Sequence, residues 1–200
     1  MPDIKLLPKN FFKKNPLNPT SAYNIALYIL DPDFEEDMFN RLLDKEDETG
    51  DSSSLDQIDK EEEEIRALSD AEAVVKRMRQ SIAMLNRSVL ADQALSMWEE
   101  TMPLILRRFR TSSQTEFIET AFHIFAEADD SVIEPLKELY PDIRDPYARS
   151  MACVVFGMHD CEEMIPMLLR EYERFREDYP DEEYEQGPLL ALYQLYSMLD

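Results

Sequence analysis

Apolar residues recur at helical spacing through most of the second half of the chain. A first stretch places Val74, Val75, Met78, Ile82 and Leu85 three or four residues apart. A second stretch gathers its apolar residues on one helix side: Phe117, Ile118, Ala121, Phe122, Ile124 and Phe125. This period is typical of amphipathic helices. Because no stretch alternates apolar and polar residues as a half-buried strand would, the sequence predicts an all-α fold.

Three short motifs indicate where helices begin. Residues 69–72 (Ser-Asp-Ala-Glu) and 113–116 (Ser-Gln-Thr-Glu) each place Glu three positions after Ser. In such a capping box the serine is the N-cap and the glutamate lies in the first helical turn. Asp145-Pro146 places a capping side chain before a proline at the first helical position, where the missing amide costs nothing. We therefore expect helices to start at Ser69, Ser113 and Asp145.

A strongly acidic segment separates the N-terminal part of the chain from the rest. Residues 44–64 hold eleven acidic side chains and two lysines, with Leu55 and Ile58 as their sizeable apolar residues. Burying two such residues cannot offset the entropy lost when about twenty residues are ordered, at roughly 1–2 kcal/mol each. The sequence therefore predicts an N-terminal extended segment with two short helices at 1–43, an acidic flexible linker or loop at 44–66, and a helical domain at 67–200.

The helical domain contains an internal repeat. Four prolines, spaced 32, 31 and 22 residues apart, each precede large apolar and aromatic residues. They are Pro103, Pro135, Pro166 and Pro188. Proline in the first turn of a helix removes no internal hydrogen bond. The predicted unit is a helix, a short turn and a second helix, and such units bury their apolar faces by stacking on one another.

The clearest copy spans residues 145–169 and resembles a HEAT-like repeat. The matching positions are Asp145, Pro146, Arg149, Ala152, Gly157, Asp160, Ile165, Pro166, Leu168 and Leu169, while Phe156 replaces the usual leucine. Weaker copies extend over about residues 87–198. The resemblance implies an α-solenoid of about three helical hairpins that serves as a binding scaffold. The last element, Glu182–Leu199, is expected to be a capping helix with one apolar and one polar face.

Composition narrows the function further. The net charge is −22, which disfavours binding to nucleic acid or to an anionic membrane surface. Three glycines are few for a Rossmann or P-loop fold, and two cysteines and two histidines leave little for metal sites. No secretory leader or apolar membrane span is visible. The expected setting is the cytoplasm. The expected partner is a protein, and the acidic charge favours a basic one. The oligomeric state is left open.

The candidates for chemistry are weak. Cys153, His159 and Cys161 lie close in sequence but lack a fourth ligand, and Cys153 falls on a small, core-forming position of the repeat. Glu119 and His123 are one helical turn apart, which suggests a surface pair. No nucleophile, Walker or zinc-protease motif is present. We therefore predict no metal, no cofactor and no identifiable catalytic residue.

Basic side chains on the predicted second helices are the candidate binding site. In a HEAT-like solenoid these helices line the concave face, which would place there Arg107, Arg108, Lys137, Arg170 and Arg174. They would form a groove for an acidic peptide or for the chain's own 44–64 segment; alternatively, they pair with nearby glutamates. The preferred function is a non-catalytic protein-interaction scaffold. The alternatives are an enzyme or maturation factor acting in the groove, and an acidic neutraliser of the immunity or nucleic-acid-mimic type.

Overall fold

A computed structural model of the chain describes Leu7 and residues 10–31, 33–34, 36–38, 40–42 and 53–197. Regular structure in these residues is helical, without a strand, so the all-α prediction is confirmed. Helical residues also occur between 33 and 42. The helices with defined bounds are α1 (Phe11–Lys14), α2 (Ala22–Ile29), α3 (Ser53–Arg66), α4 (Ala71–Arg77), α5 (Arg87–Ser96), α6 (Trp98–Phe109), α7 (Thr115–Glu127), α8 (Ile133–Leu139), α9 (Pro146–Met158), α10 (Ile165–Asp178) and α11 (Gln186–Ser197).

Alternate helices pack side by side in chain order: α3 on α5, α5 on α7, α7 on α9, and α9 on α11. The side-chain amide of Asn86 donates to the carbonyl oxygen of Ile58 over 2.9 Å. Further along, the side-chain amide of Gln93 on α5 donates to the carbonyl oxygen of Leu68, just beyond the end of α3, over 2.5 Å. The earlier residue of one segment thus bonds to the earlier residue of the other, and the later residue to the later one. Helices α3 and α5 therefore run in the same direction.

The same relation holds between α7 and α9. The hydroxyl of Tyr147 donates to Glu119 near their N-terminal ends, over 3.2 Å. Beyond the other end, Nε2 of His159 lies 2.9 Å from the carbonyl oxygen of Phe125. The intervening helices form further contacts, α4 on α6 and α6 on α8. The chain therefore alternates between two sets of helices, and each set packs in chain order over part of its length.

Helices α9 and α11 approach closely because glycine lies at their contact. A Cβ atom added to Gly157 would stand 2.6 Å from the Cα atom of Ala191. Gly187 on α11 similarly has no room for a side chain beside Ser150. Side-chain atoms at these positions would force the two helix backbones apart.

The last helix is not the amphipathic cap that the sequence predicts. Residues from Gln186 to Leu192 are buried, because α9 and α10 pack on this helix and the N-terminal segment covers a further part of it. The hydroxyl of Tyr193 donates to the carbonyl oxygens of Phe12 and Asn15 over 3.0 and 3.1 Å. The backbone N–H of Asn18 donates to the side-chain oxygen of Gln186 over 2.8 Å. Part of the predicted separate N-terminal element thus packs on the end of the chain.

Much of the predicted acidic linker is also ordered. Residues 53–66 form α3, and Ile65 is fully buried, so the linker prediction is wrong for this part. The Glu61 carboxylate accepts hydrogen bonds from the Ala83 amide (2.9 Å) and the Asn86 side chain (2.8 Å), and it also pairs with Arg77. Residues 44–52 lie outside the described residues. Packing of one apolar side chain and anchoring of one carboxylate hold a helix that composition alone does not indicate.

Helix starts agree with the sequence motifs to within one residue. The Asp145 carboxylate accepts from the amide three residues later over 3.0 Å, as predicted. At the other two starts the N-cap is Asp70 rather than Ser69, and Gln114 rather than Ser113. The Asp70 carboxylate makes the capping bond itself, whereas Gln114 makes none. A capping box therefore located these helices but assigned the wrong capping side chain.

Candidate functional site

A surface pocket of about 390 Å³ lies between α4 and α6. It is lined by Glu72, Val75, Lys76, Arg79, Leu104, Arg107, Arg108 and Thr111. On each segment these residues recur three or four positions apart, so they share one side of the helix and its extension. The pocket thus forms where two helices about thirty residues apart in sequence lie side by side.

Core packing decides which side of each helix faces the pocket. On α4, Ala71 and Val74 are buried in the core, which leaves Lys76 exposed. On α6, Ile105 and Phe109 are buried, and Arg107 is exposed. Val75 on α4 and Leu104 on α6 are half-buried and also line the pocket. We call these two apolar side chains the floor of the pocket, and the basic side chains of each helix its walls.

Basic side chains outnumber carboxylates in the lining of the pocket. Four cations and one carboxylate, Glu72, line it. Within the described part of the chain, no carboxylate forms an ion pair with Lys76, Arg79, Arg107 or Arg108. Other arginines are paired; Arg87, for example, lies 2.9 Å from a carboxylate oxygen. An unpaired cationic cluster is notable in a chain of net charge −22.

Arg108 is the most constrained of these cations. Its guanidinium carbon lies 5.7 Å from the ring centroid of Phe117, within the range of a cation–π interaction. Its Nε atom is buried and has no hydrogen-bond acceptor among the residues described. The described contact of the guanidinium is therefore with an aromatic ring rather than with a carboxylate.

The five basic residues named from the sequence do not line one pocket. Arg107 and Arg108 line it, whereas Lys137, Arg170 and Arg174 do not. Lys137 bonds to Glu134 and Glu163, and these bonds raise the pKa of its ammonium group. Lys137 is therefore paired with glutamates, as the alternative interpretation of the basic residues predicts.

Arg170 and Arg174, the remaining basic residues named from the sequence, lie on α10. Arg174 is paired within its helix, 3.2 Å from Asp178 and 3.5 Å from Glu171. Arg170 is exposed on the same helix.

Sequence reasoning also missed two cations of the pocket, Lys76 and Arg79. Their spacing of three residues was visible, but their position opposite α6 depends on the packing of the two helices.

A second, acidic cleft lies near α2, α7 and α9. Two adjoining hollows of about 260 and 360 Å³ share Ala22, Tyr147 and Tyr184. The Glu119 carboxylate in this cleft already accepts from Arg87 over 2.9 Å and from the hydroxyl of Tyr147. Asp145 is occupied as the helix cap. Because these two carboxylates stabilise the fold, we regard the basic pocket as the stronger candidate.

The cysteines do not form a reactive or metal-binding site in the described residues. No group of three or more histidine, cysteine and acidic side chains there could hold a metal ion. Cys153 is fully buried, as the repeat pattern predicts, and lies 3.3 Å from the hydroxyl of Tyr140. Burial raises the pKa of the Cys153 thiol to about 12 and that of Cys161 to about 11. Both thiols are therefore protonated at neutral pH and poor nucleophiles.

The predicted surface pair of Glu119 and His123 is wrong. His123 is buried, and its Nε2 atom lies 2.7 Å from a carboxylate oxygen of Glu127. The Glu119 carboxylate instead accepts hydrogen bonds from Arg87 on α5 and from the hydroxyl of Tyr147 on α9. Both carboxylates lie one helical turn from His123, so spacing alone could not choose between them.

Comparisons add no family assignment to this geometry. Among the described residues, no helix combines the length and the apolar character needed to cross a bilayer. Scans of family models and searches of curated proteins and of solved structures found no protein that matches this chain.

Proposed function

We propose that this chain is a non-catalytic protein-interaction scaffold of the HEAT-like type, acting in the cytoplasm. The parallel packing of alternate helices supports an α-solenoid arrangement, because stacked hairpins place equivalent helices side by side in the same direction. The motif at 145–169 supports the same assignment. Such stacks provide extended surfaces for protein partners.

One observation carries the proposal: the unpaired cationic pocket between α4 and α6. Arginine is enriched at protein interfaces, where complementary charge increases the association rate and selects the partner. Lys76 and Arg107 stand exposed on opposite walls, and Val75 and Leu104 provide apolar area between them. An apolar centre inside a charged rim is the usual composition of an interface.

The charge of the whole chain bears on the partner. A net charge of −22 attracts a basic protein at long range and repels nucleic acid. The pocket has the opposite sign and acts over shorter distances, since salt screens charges beyond about 8 Å at physiological ionic strength. The proposed partner is therefore a protein, basic overall, that contacts this pocket directly.

Affinity capture with matched variants tests this proposal. The wild-type chain, a Lys76→Glu/Arg107→Glu double variant and an Arg170→Glu control are used as baits in lysate of the source cell, and captured proteins are identified by mass spectrometry. Arg170 is an exposed arginine outside the pocket. We expect a protein that wild type and control capture and the double variant loses, with binding reproduced by purified components. Identical captures by all three baits, or no capture by any, would overturn the proposal.

A further inference from the structure

We infer that the pocket between α4 and α6 binds an acidic peptide segment that carries a large apolar side chain between its carboxylates. The inference rests on the proposed function and specifies the chemistry of the partner's contact segment. The pocket has basic side chains on both helices, the apolar floor of Val75 and Leu104, and one carboxylate.

The cations are distributed in a way that suits spaced carboxylates. Lys76 and Arg79 belong to one wall, and Arg107 and Arg108 belong to the other. A peptide lying between the walls can therefore present acidic side chains to both. Arginine holds a carboxylate through two parallel hydrogen bonds, which adds geometric selectivity to the charge attraction.

The apolar floor distinguishes a peptide from a simple anion. Val75 and Leu104 are half-buried at the pocket, so an apolar ligand group would remove their remaining surface from water. Phosphate and nucleic acid backbones have no group that uses such a floor.

Glu72 adds a second element of selectivity. Its carboxylate lines the same pocket as the four cations. A small anion that binds close to Glu72 is repelled by this like charge. The separate carboxylates of a peptide can contact the cations and avoid Glu72.

The acidic helix of the chain itself does not fill the pocket. No residue of α3 lines it. Instead, Glu61 on that helix is bonded to Arg77, Ala83 and Asn86. Residues 53–66 therefore occupy a different surface, and the inferred occupant is a segment of a partner protein.

Fluorescence anisotropy with the full chain and labelled peptides tests the inference. The first probe is a short peptide with two acidic residues on each side of a leucine. A second replaces leucine by serine, and a third replaces the acidic residues by lysine. We expect the leucine peptide to bind, the serine peptide to bind about tenfold more weakly, and the lysine peptide not to bind. Added salt should weaken the binding of the leucine peptide.

Variants connect the binding to the pocket. Lys76→Glu and Arg107→Glu should each weaken binding of the leucine peptide about tenfold or more. Arg170→Glu should leave it unchanged. Because the changed side chains are exposed, we expect the variants to fold, and circular dichroism with thermal unfolding verifies this. Leu104→Ser serves as a second probe, since it alters the floor without changing the charge.

Each remaining outcome is decisive. The inference is overturned if the leucine peptide does not bind, if Arg170→Glu weakens binding as much as Arg107→Glu does, or if inorganic phosphate at matched ionic strength displaces the peptide at equal concentration. Pocket-dependent capture of a protein without acidic-peptide binding would refute this inference and leave the proposed function standing. Peptide binding without any captured protein would refute the proposed function and leave the pocket's preference established.

Discussion

Replacing Ile65 by alanine tests whether α3 is an integral part of the fold. Ile65 lies next to the last residue of α3 and is fully buried within the core cluster. Around it the sequence is almost entirely charged. If the segment were a solvated linker, the substitution would have no effect on the free energy of unfolding.

The expected cost follows from burial. Fully burying an isoleucine side chain contributes about 1.5–3 kcal/mol. Alanine retains part of this, but the cavity left behind adds a further penalty, so isoleucine-to-alanine changes in cores cost about 2–5 kcal/mol. For a chain of this length, each kcal/mol lowers the melting temperature by about 2–4 °C. We therefore expect Ile65→Ala to lower it by roughly 5–15 °C.

Urea unfolding provides the assay, with far-ultraviolet circular dichroism and the fluorescence of Trp98 as two probes. Lys60→Ala is the matched control, because Lys60 lies on the same helix with 77% of its side chain exposed. We expect the control to unfold near the wild-type urea concentration and Ile65→Ala to unfold well below it. Equal midpoints for the two variants would refute the packing of α3 and restore the linker interpretation.

Three further substitutions probe the domain that follows. Gly157→Ala should destabilise the protein by about 1–3 kcal/mol, since its Cβ would press on the backbone of Ala191; a calorimetric melting temperature equal to wild type would contradict this close packing. Asp160 has a φ of 53°, so Asp160→Gly should stabilise by up to about 1 kcal/mol, as chemical denaturation would show, while a loss would indicate a role for its side chain. Lys137 lowers the pKa of the Glu163 carboxyl. Its stabilisation is thus present above the ordinary carboxyl pKa and lost as pH falls through the lowered value. Glu163→Gln should lower the melting temperature slightly at neutral pH and not in strong acid; an offset independent of pH would argue against the ion pair.

Features set by neighbours along the chain were predictable from the sequence. The periodic apolar residues specified helices, because side chains three and four positions apart share a helix face. Asp145 could be identified as a helix cap, since the capping bond joins residues three apart. Cys153 was assigned to the core from its place in the repeat, and it is fully buried.

The acidic segment shows where composition fails. All its carboxylates look alike in the sequence, but Glu61 accepts two neutral hydrogen bonds and pairs with Arg77. These partners lie between sixteen and twenty-five positions away. An entropy estimate based on the apolar residues within 44–64 could not include contacts with residues outside that segment, or the burial of Ile65 just beyond it.

By itself, the sequence determined that the chain is helical and strongly acidic. The tertiary structure decided which helices meet. In the folded chain the N-terminal segment packs on α11, and Lys76 and Arg79 lie opposite Arg107 and Arg108. The physical reason is that periodicity fixes the direction in which a side chain leaves its own helix, whereas a pocket depends on how separate helices pack against one another.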